Sequence, residues 1–230
     1  MQATPHLDVI RLEDEWGRQQ ALAVMRATYR DEKNWIRADD RLVSLADMSQ
    51  PQVSWFVART EGLPVGVLRV LYEPPLELYT QYAFQSVAPE ADLMAFVRNN
   101  RIAEIGRFAV VPEHRGNFLV AATLMREATA ETIRRAYSHY ITDVFEGELH
   151  SPYAFHRRVL GFEVVATHDT GELNCPNRRI TMVLDLQSAY RKLQKSGGWL
   201  YRYMTEGWTE ELHERMKGST PAAVRPALVS

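Results

Sequence analysis

The sequence holds one cysteine, Cys175, so no internal disulfide can form. That usage fits a reducing compartment. No apolar run approaches the ~20 residues a membrane span needs, so no membrane span is expected. The start, "MQATPHLDVIRLEDEW", has no basic stretch followed by an apolar one. A signal peptide is therefore not expected, and a cytoplasmic protein is. The formal net charge is only −2, too weak a field to favour nucleic acid as a partner. No Gly-x-Ser-x-Gly or P-loop pattern occurs, and no His/Cys/Asp/Glu spacing matches a metal-ligand pattern, so no metal is expected. Cys175 has no His near it in sequence and is not read as a nucleophile.

The residues that are present make an ordinary globular chain. Of 230 residues, 46% are apolar and 24% charged, enough for a full core without disulfides or metals. Alternation predicts a short strand at "HLDVIRLED"; strands are also expected on both sides of a Glu61–Gly62 turn in "VSWFVARTEGLPVGVLRVLYEPP", and at "RIAEIGRFAVV", "YITDVFEG", "FEVVATH" and "RRITMVLDL". "EWGRQQALAVMRATYRDEKNWI" reads as a helix, with Leu22, Met25 and Tyr29 on one face. A second helix is expected from Asn117, as N-cap, to about Tyr140. Its buried stripe would be Phe118, Ala121, Ala122, Met125, Ala128, Ile133 and Tyr137. "SPYAFHRRVLG" is a short helix closed by Gly161. "LELYTQYAFQSVAPEADLMAFVRNN" is helical or irregular. The order implies an α/β (α+β) fold, a mixed sheet with helices on its faces. Residues 1–186 form the expected domain, and 187–230 a helical extension with a loose tail.

The strand–turn–helix "EIGRFAVVPEHRGNFLVAATLMREA" carries the chemistry. A helix start offers unpaired N–H groups to an anion, and Arg115 adds a cation. A plain turn with a surface arginine is the other reading. Strict alternation puts Glu104 and Arg107 on opposite faces of the strand. Gly106 between them could mark a bulge that re-aims both and frees backbone donors for an oxyanion.

"RFAVVPEHRGNFLVAATLM" resembles the acyl-donor motif of the GCN5-related N-acetyltransferase (GNAT) superfamily, and "FHRRVLGFEVV" its later helix-to-strand motif. The two stand in the expected order, and the resemblance spans roughly residues 53–186. It implies a GNAT-like, mostly antiparallel central sheet flanked by helices. The superfamily's loop holds two small residues where this chain, counting from Arg115, has Phe118 and Val120. Those side chains would fill the space of a coenzyme A pyrophosphate. "EIGRFAVVP" resembles the acyl-homoserine-lactone synthase and N-acyl amino acid synthase branch, whose donor is acyl carrier protein. "MRATYRDEKNW" is similar to that branch's N-terminal helix at Arg26, Tyr29 and Trp35, with Arg26 one residue nearer the aromatic. "VGVLRVL" matches a functional arginine at Arg69, and "LADMSQ" an acidic residue at Asp47.

The resemblance implies an N-acyltransferase. Glu104 would be the base that takes the amine proton, with Arg107 beside it as a catalytic residue; a strand Glu paired with Arg107 or Arg101 is the alternative. Arg26, Trp35, Asp47, Arg69 and Phe108 would bind the acceptor. Arginines suit a substrate carboxylate, though each could instead be a surface ion pair. Trp35, Trp55 and Phe108 could line an acyl pocket or belong to the core. Ala109, Val110, Arg115, Gly116, Asn117 and Phe118 would bind the pantetheine arm. No tightly bound cofactor is implied. The donor would be the phosphopantetheine thioester of acyl carrier protein, or else acyl-coenzyme A, and the acceptor an amino acid or other small amine. A coenzyme A-dependent N-acetyltransferase and a non-catalytic acyl-binding module are the alternatives.

Overall fold

The computed structural model describes residues 6–36, 48–74, 82–87, 93–116 and 118–218. Among the described residues the architecture is mixed α/β, with eight mostly antiparallel strands. The strands are β1 (Leu7–Arg11), β2 (Val53–Thr60), β3 (Leu63–Tyr72), β4 (Gln85–Ser86), β5 (Ile102–Val110), β6 (His139–Phe145), β7 (Glu163–His168) and β8 (Arg179–Asp185). The α-helices are α1 (Glu15–Met25), α2 (Leu93–Asn99), α3 (Phe118–Arg134), α4 (Leu186–Ser196), α5 (Trp199–Met204) and α6 (Glu210–Lys217). Two stretches wind as π-helix, Arg26–Glu32 directly after α1 and Phe155–Leu160 before β7.

The chain forms two compact units. One runs up to Leu71 and includes Ile105–Glu131; the other comprises Tyr72–Glu104 and the chain from Thr132 onward. The first unit orders its strands β1-β2-β3-β5. Asp14 caps α1 by accepting from the Gly17 amide at 2.8 Å, which fixes the helix start. The β2–β3 turn places Glu61 at φ 53° and Gly62 at φ 81°, both in the left-handed region a tight hairpin requires. Cross-strand register pairs Trp55 with Arg69 and Ala58 with Gly66. On the Gly66 face, the absent side chain lets α3 approach closely. A Cβ there would stand 3.0 Å from Val120 and 3.1 Å from Leu124, both fully buried. Val120 therefore fills the core against β3; only Phe118 of the two expected loop side chains is exposed, at 42%.

The second unit orders its strands β6-β8-β7-β4. Phe96, Val97, Ile102, Ile141, Val165 and Val183 form one apolar cluster under α2. α4 packs on β8 and on α5 and α6. Leu212 and Met216 of α6 are buried, and the Tyr190 hydroxyl meets Tyr201 at 3.1 Å and His213 at 3.0 Å.

The helix that follows β5 and its turn is shorter than the periodicity suggests. It ends at Arg134, and Tyr140 lies fully buried in β6. Ala136 adopts φ 61°, the Ala136 amide donates to the Ile133 carbonyl, and the Tyr137 amide donates to the Thr132 carbonyl. That is the Schellman closure, built on alanine where glycine usually serves. Ala122, Met125, Ala128 and Ile133 are buried as expected, whereas Phe118 is exposed. Asn117 and Asp47 lie outside the described residues.

Candidate active site

β5 carries the site. Its first half alternates in burial: Ile102, Ala103, Ile105 and Arg107 are buried, and Glu104 and Gly106 half-buried. Phe108, Ala109 and Val110 are all half-buried, so the alternation stops after Arg107. The cause is local. Arg107 sits at φ 49°, a left-handed turn inside a strand. Such a conformation costs an L-residue about 1–2 kcal/mol and re-aims the side chains that follow. The expected break exists, one residue past Gly106.

The first unit gathers three polar side chains at this break. Tyr29, buried in the π-helical stretch, donates its hydroxyl to the Phe108 carbonyl at 3.3 Å. Its ring lies 5.5 Å from that of Trp35, tilted by 60°. Burial pushes the Tyr29 phenol above its ordinary 10.0, while the charges of Arg107 and Arg69 pull it back. The hydroxyl therefore stays a neutral donor, and both guanidinium groups act on it. Arg69 comes from β3 directly across from Trp55. Arg26 is not part of this group: it lies exposed on the π-helical stretch, where its charge acts on Asp31.

The loop after β5 is a short 3-10 turn, Pro112–His114, followed by Arg115 and Gly116. The Arg115 guanidinium is engaged by the protein at all three of its nitrogens. Its Nε donates to the Val110 carbonyl at 2.8 Å, its Nη1 to Glu32 Oε1 at 2.6 Å, and its Nη2 to Glu32 Oε2. A Cβ on Gly116 would meet nothing within 4 Å, so the space before it is open.

Glu104 belongs to the second unit, with a group of titratable side chains that the sequence did not announce. Burial raises the phenol of Tyr82, and the charges of Glu172, Glu104 and Asp143 add to that rise while Arg179 opposes it. His168 is buried, its Nδ1 2.7 Å from the Thr170 carbonyl and its Nε2 3.1 Å from Asp143 Oδ2. Thr181 donates to the other Asp143 oxygen at 2.7 Å. Tyr82 stacks on the imidazole and Phe84 meets it edge-on. The one sequence signal was Asp143 interrupting an apolar strand, a cue too common to read alone. Among the described residues, no group of His, Cys, Asp and Glu is placed to hold a metal ion. Among them, no helix is long and apolar enough to cross a membrane.

The model of the FeeM family, N-acyl amino acid synthase, matches residues 20–184. The chain belongs to that family. It is an N-acyltransferase. The FeeM match includes Tyr29, Trp35, Arg69, Glu104, Arg107 and Arg115. Among solved structures, FeeM, an N-acyl amino acid synthase from uncultured soil microbes, superposes with a TM-score of 0.62 at 16% identity, over 87% of this chain and 99% of that one. Aminoglycoside 6'-acetyltransferase type Ii gives 0.53 at 14% identity, over 77% and 96%. Ribosomal-protein-alanine N-acetyltransferase from Brucella melitensis gives 0.52 at 17%, over 78% and 99%. At such identities these likenesses speak for the GNAT fold alone. No curated protein matches the sequence.

Proposed function

We propose that the protein moves an acyl group from the phosphopantetheine thioester of acyl carrier protein to the amine of an amino acid or amino-acid-derived acceptor. The observation that carries this reading is the left-handed break at Arg107 in β5, where the buried Tyr29 hydroxyl donates to the Phe108 carbonyl at 3.3 Å. Two guanidinium forks, those of Arg69 and Arg107, suit a carboxylate, the group that sets an amino acid apart from other amines. Tyr29 holds the Phe108 carbonyl, which leaves the backbone beside the break fixed. Phe108, Ala109 and Val110 then offer half-buried strand positions for a pantetheine arm, with Gly116 open beyond them. Membership of the FeeM family supports the N-acyl amino acid product.

In this reading the acceptor binds by its carboxylate to Arg69 and Arg107, with Trp35 and Phe108 against its apolar part. Glu104 takes a proton from the ammonium, directly or through water. The free amine attacks the thioester carbon and the N–C bond forms. Backbone N–H groups at the break hold the oxyanion. The C–S bond then breaks, and the thiolate leaves with a proton.

The test is acyl transfer from purified acyl carrier protein to a panel of amino acids, read by mass spectrometry. Glu104→Gln is expected to lower kcat by about 10²–10⁴-fold with the fold intact, the range of a general base. Undiminished turnover in that variant removes the base assignment. Product with coenzyme A thioesters alone removes the carrier-protein donor.

A further inference from the structure

Arg115 stands where a GNAT donor loop would offer a cation to phosphate, yet Glu32 already holds it. The two residues are 83 positions apart in sequence, and both nitrogens of the fork face both oxygens of one carboxylate. The third donor, Nε, is used by the Val110 carbonyl at 2.8 Å. The Arg115 side chain is only 16% exposed and that of Glu32 26%. The Arg115 hydrogen bond, foremost, holds the Glu32 carboxyl below its ordinary range, so it remains an anion at neutral pH. Lys33 Nζ lies 3.2 Å from the same carboxylate. A guanidinium fork binds one planar oxyanion at a time, carboxylate or phosphate. While Glu32 occupies the fork, a phosphate meets an arginine whose paired donors are taken and whose charge is offset.

We propose that Glu32 is a donor-specificity residue, one that withdraws Arg115 from phosphate and so disfavours the heavily phosphorylated coenzyme A donors. This rests on the reading that the protein takes pantetheine thioesters. The carrier-bound arm has a single phosphodiester, whereas coenzyme A brings a pyrophosphate and a further phosphate on its ribose. The discrimination grows with the number of phosphates on the donor, and it acts by denial of the cation, one means of excluding a near-identical ligand.

The experiment compares acyl-coenzyme A with acyl-pantetheine, which has the same thioester and no phosphate, in the wild type and in Glu32→Gln and Glu32→Lys. The reading is the ratio of kcat/KM for the two donors, with the wild type as reference. Glu32→Gln should raise that ratio about tenfold, the effect of one charge-assisted hydrogen bond to phosphate. Glu32→Lys should raise it further. Both increases should shrink as salt goes from low to high, because the site is at the surface. Binding of coenzyme A itself, followed by calorimetry, should strengthen in parallel, which keeps the test independent of turnover. Thermal melting checks that each variant is folded. An unchanged ratio in both folded variants overturns the proposal, as does an equal rise with both donors. A wild type that favours coenzyme A over carrier protein would instead sink the donor reading above, and the ratio across variants would still decide the role of Glu32.

Discussion

The left-handed residue in β5 predicts an inverted stability order. At an ordinary strand position, glycine is less stable than alanine by roughly 0.5–1 kcal/mol, because it loses more backbone freedom on folding. At φ 49° the alanine itself is strained, since the left-handed region costs a residue with a Cβ about 1–2 kcal/mol. Taking the middle of each range leaves Arg107→Gly more stable than Arg107→Ala by about 0.75 kcal/mol. Both variants lose the same guanidinium, so its contacts cancel in the comparison. For a chain of this size the difference corresponds to roughly 1–4 °C in Tm. Differential scanning calorimetry of the two variants reads it, and urea midpoints provide the second measurement. Ala109→Gly is the control: Ala109 lies in the same strand without a positive φ, so there glycine should lower stability. If Arg107→Ala melts at or above Arg107→Gly, the strand has no left-handed break, and the account of the site built on it fails.

Two further outcomes follow from buried residues. His156 is fully buried against Phe162, and burial pushes its imidazole from 6.5 down to about 3. The folded state holds it neutral while the unfolded chain takes up a proton below pH 6.5. Its stability contribution is therefore complete above 6.5 and lost as pH falls from there towards 3, at about 1.4 kcal/mol per pH unit. Urea unfolding at pH 7 and pH 5 should show His156→Phe losing less stability than the wild type, by about 2 kcal/mol over that interval; equal losses would mean that the ring is not held neutral. Gly66→Val should destabilise by about 2 kcal/mol, because even a Cβ would press on Val120 and Leu124. The check is a lowered urea midpoint at constant m, and an unchanged midpoint would show that α3 can yield.

Much of the scaffold was legible because its signals are local. The Glu61–Gly62 turn, the apolar strands β2, β3, β6 and β8 and the stop at Gly161 all follow from residue type. What was not legible depended on contacts far apart in sequence or on residues in unusual roles. Ala136 ends α3 in a conformation that glycine normally marks, so periodicity ran on to Tyr140. Val120 resembled a loop residue until the strand beneath it was seen to lack a side chain at Gly66. Gly106 pointed to a break in β5, but the strain fell on Arg107, which the surrounding fold holds in place. Tyr29 was legible as an inward-facing aromatic, and its hydroxyl contact with Phe108 was not. Glu32 sat in "YRDEKNW" as one more charge of a solvated run, and only folding brings it to Arg115.

The π-helical winding of Arg26–Glu32 gives the last of these contacts an evolutionary side. Its bonds reach back one residue further than those of an α-helix, as when the Lys33 amide donates to the Thr28 carbonyl at 3.0 Å. Such a stretch accommodates one extra residue without lengthening the helix it interrupts. Loss of a single codon there would restore regular winding and re-aim the side chains of the stretch itself, Glu32 among them. Glu32 would swing away from Arg115, while β5 and its strained arginine stayed as they are. On the proposed role of Glu32, donor preference could thus drift by a one-residue deletion, without any change in β5.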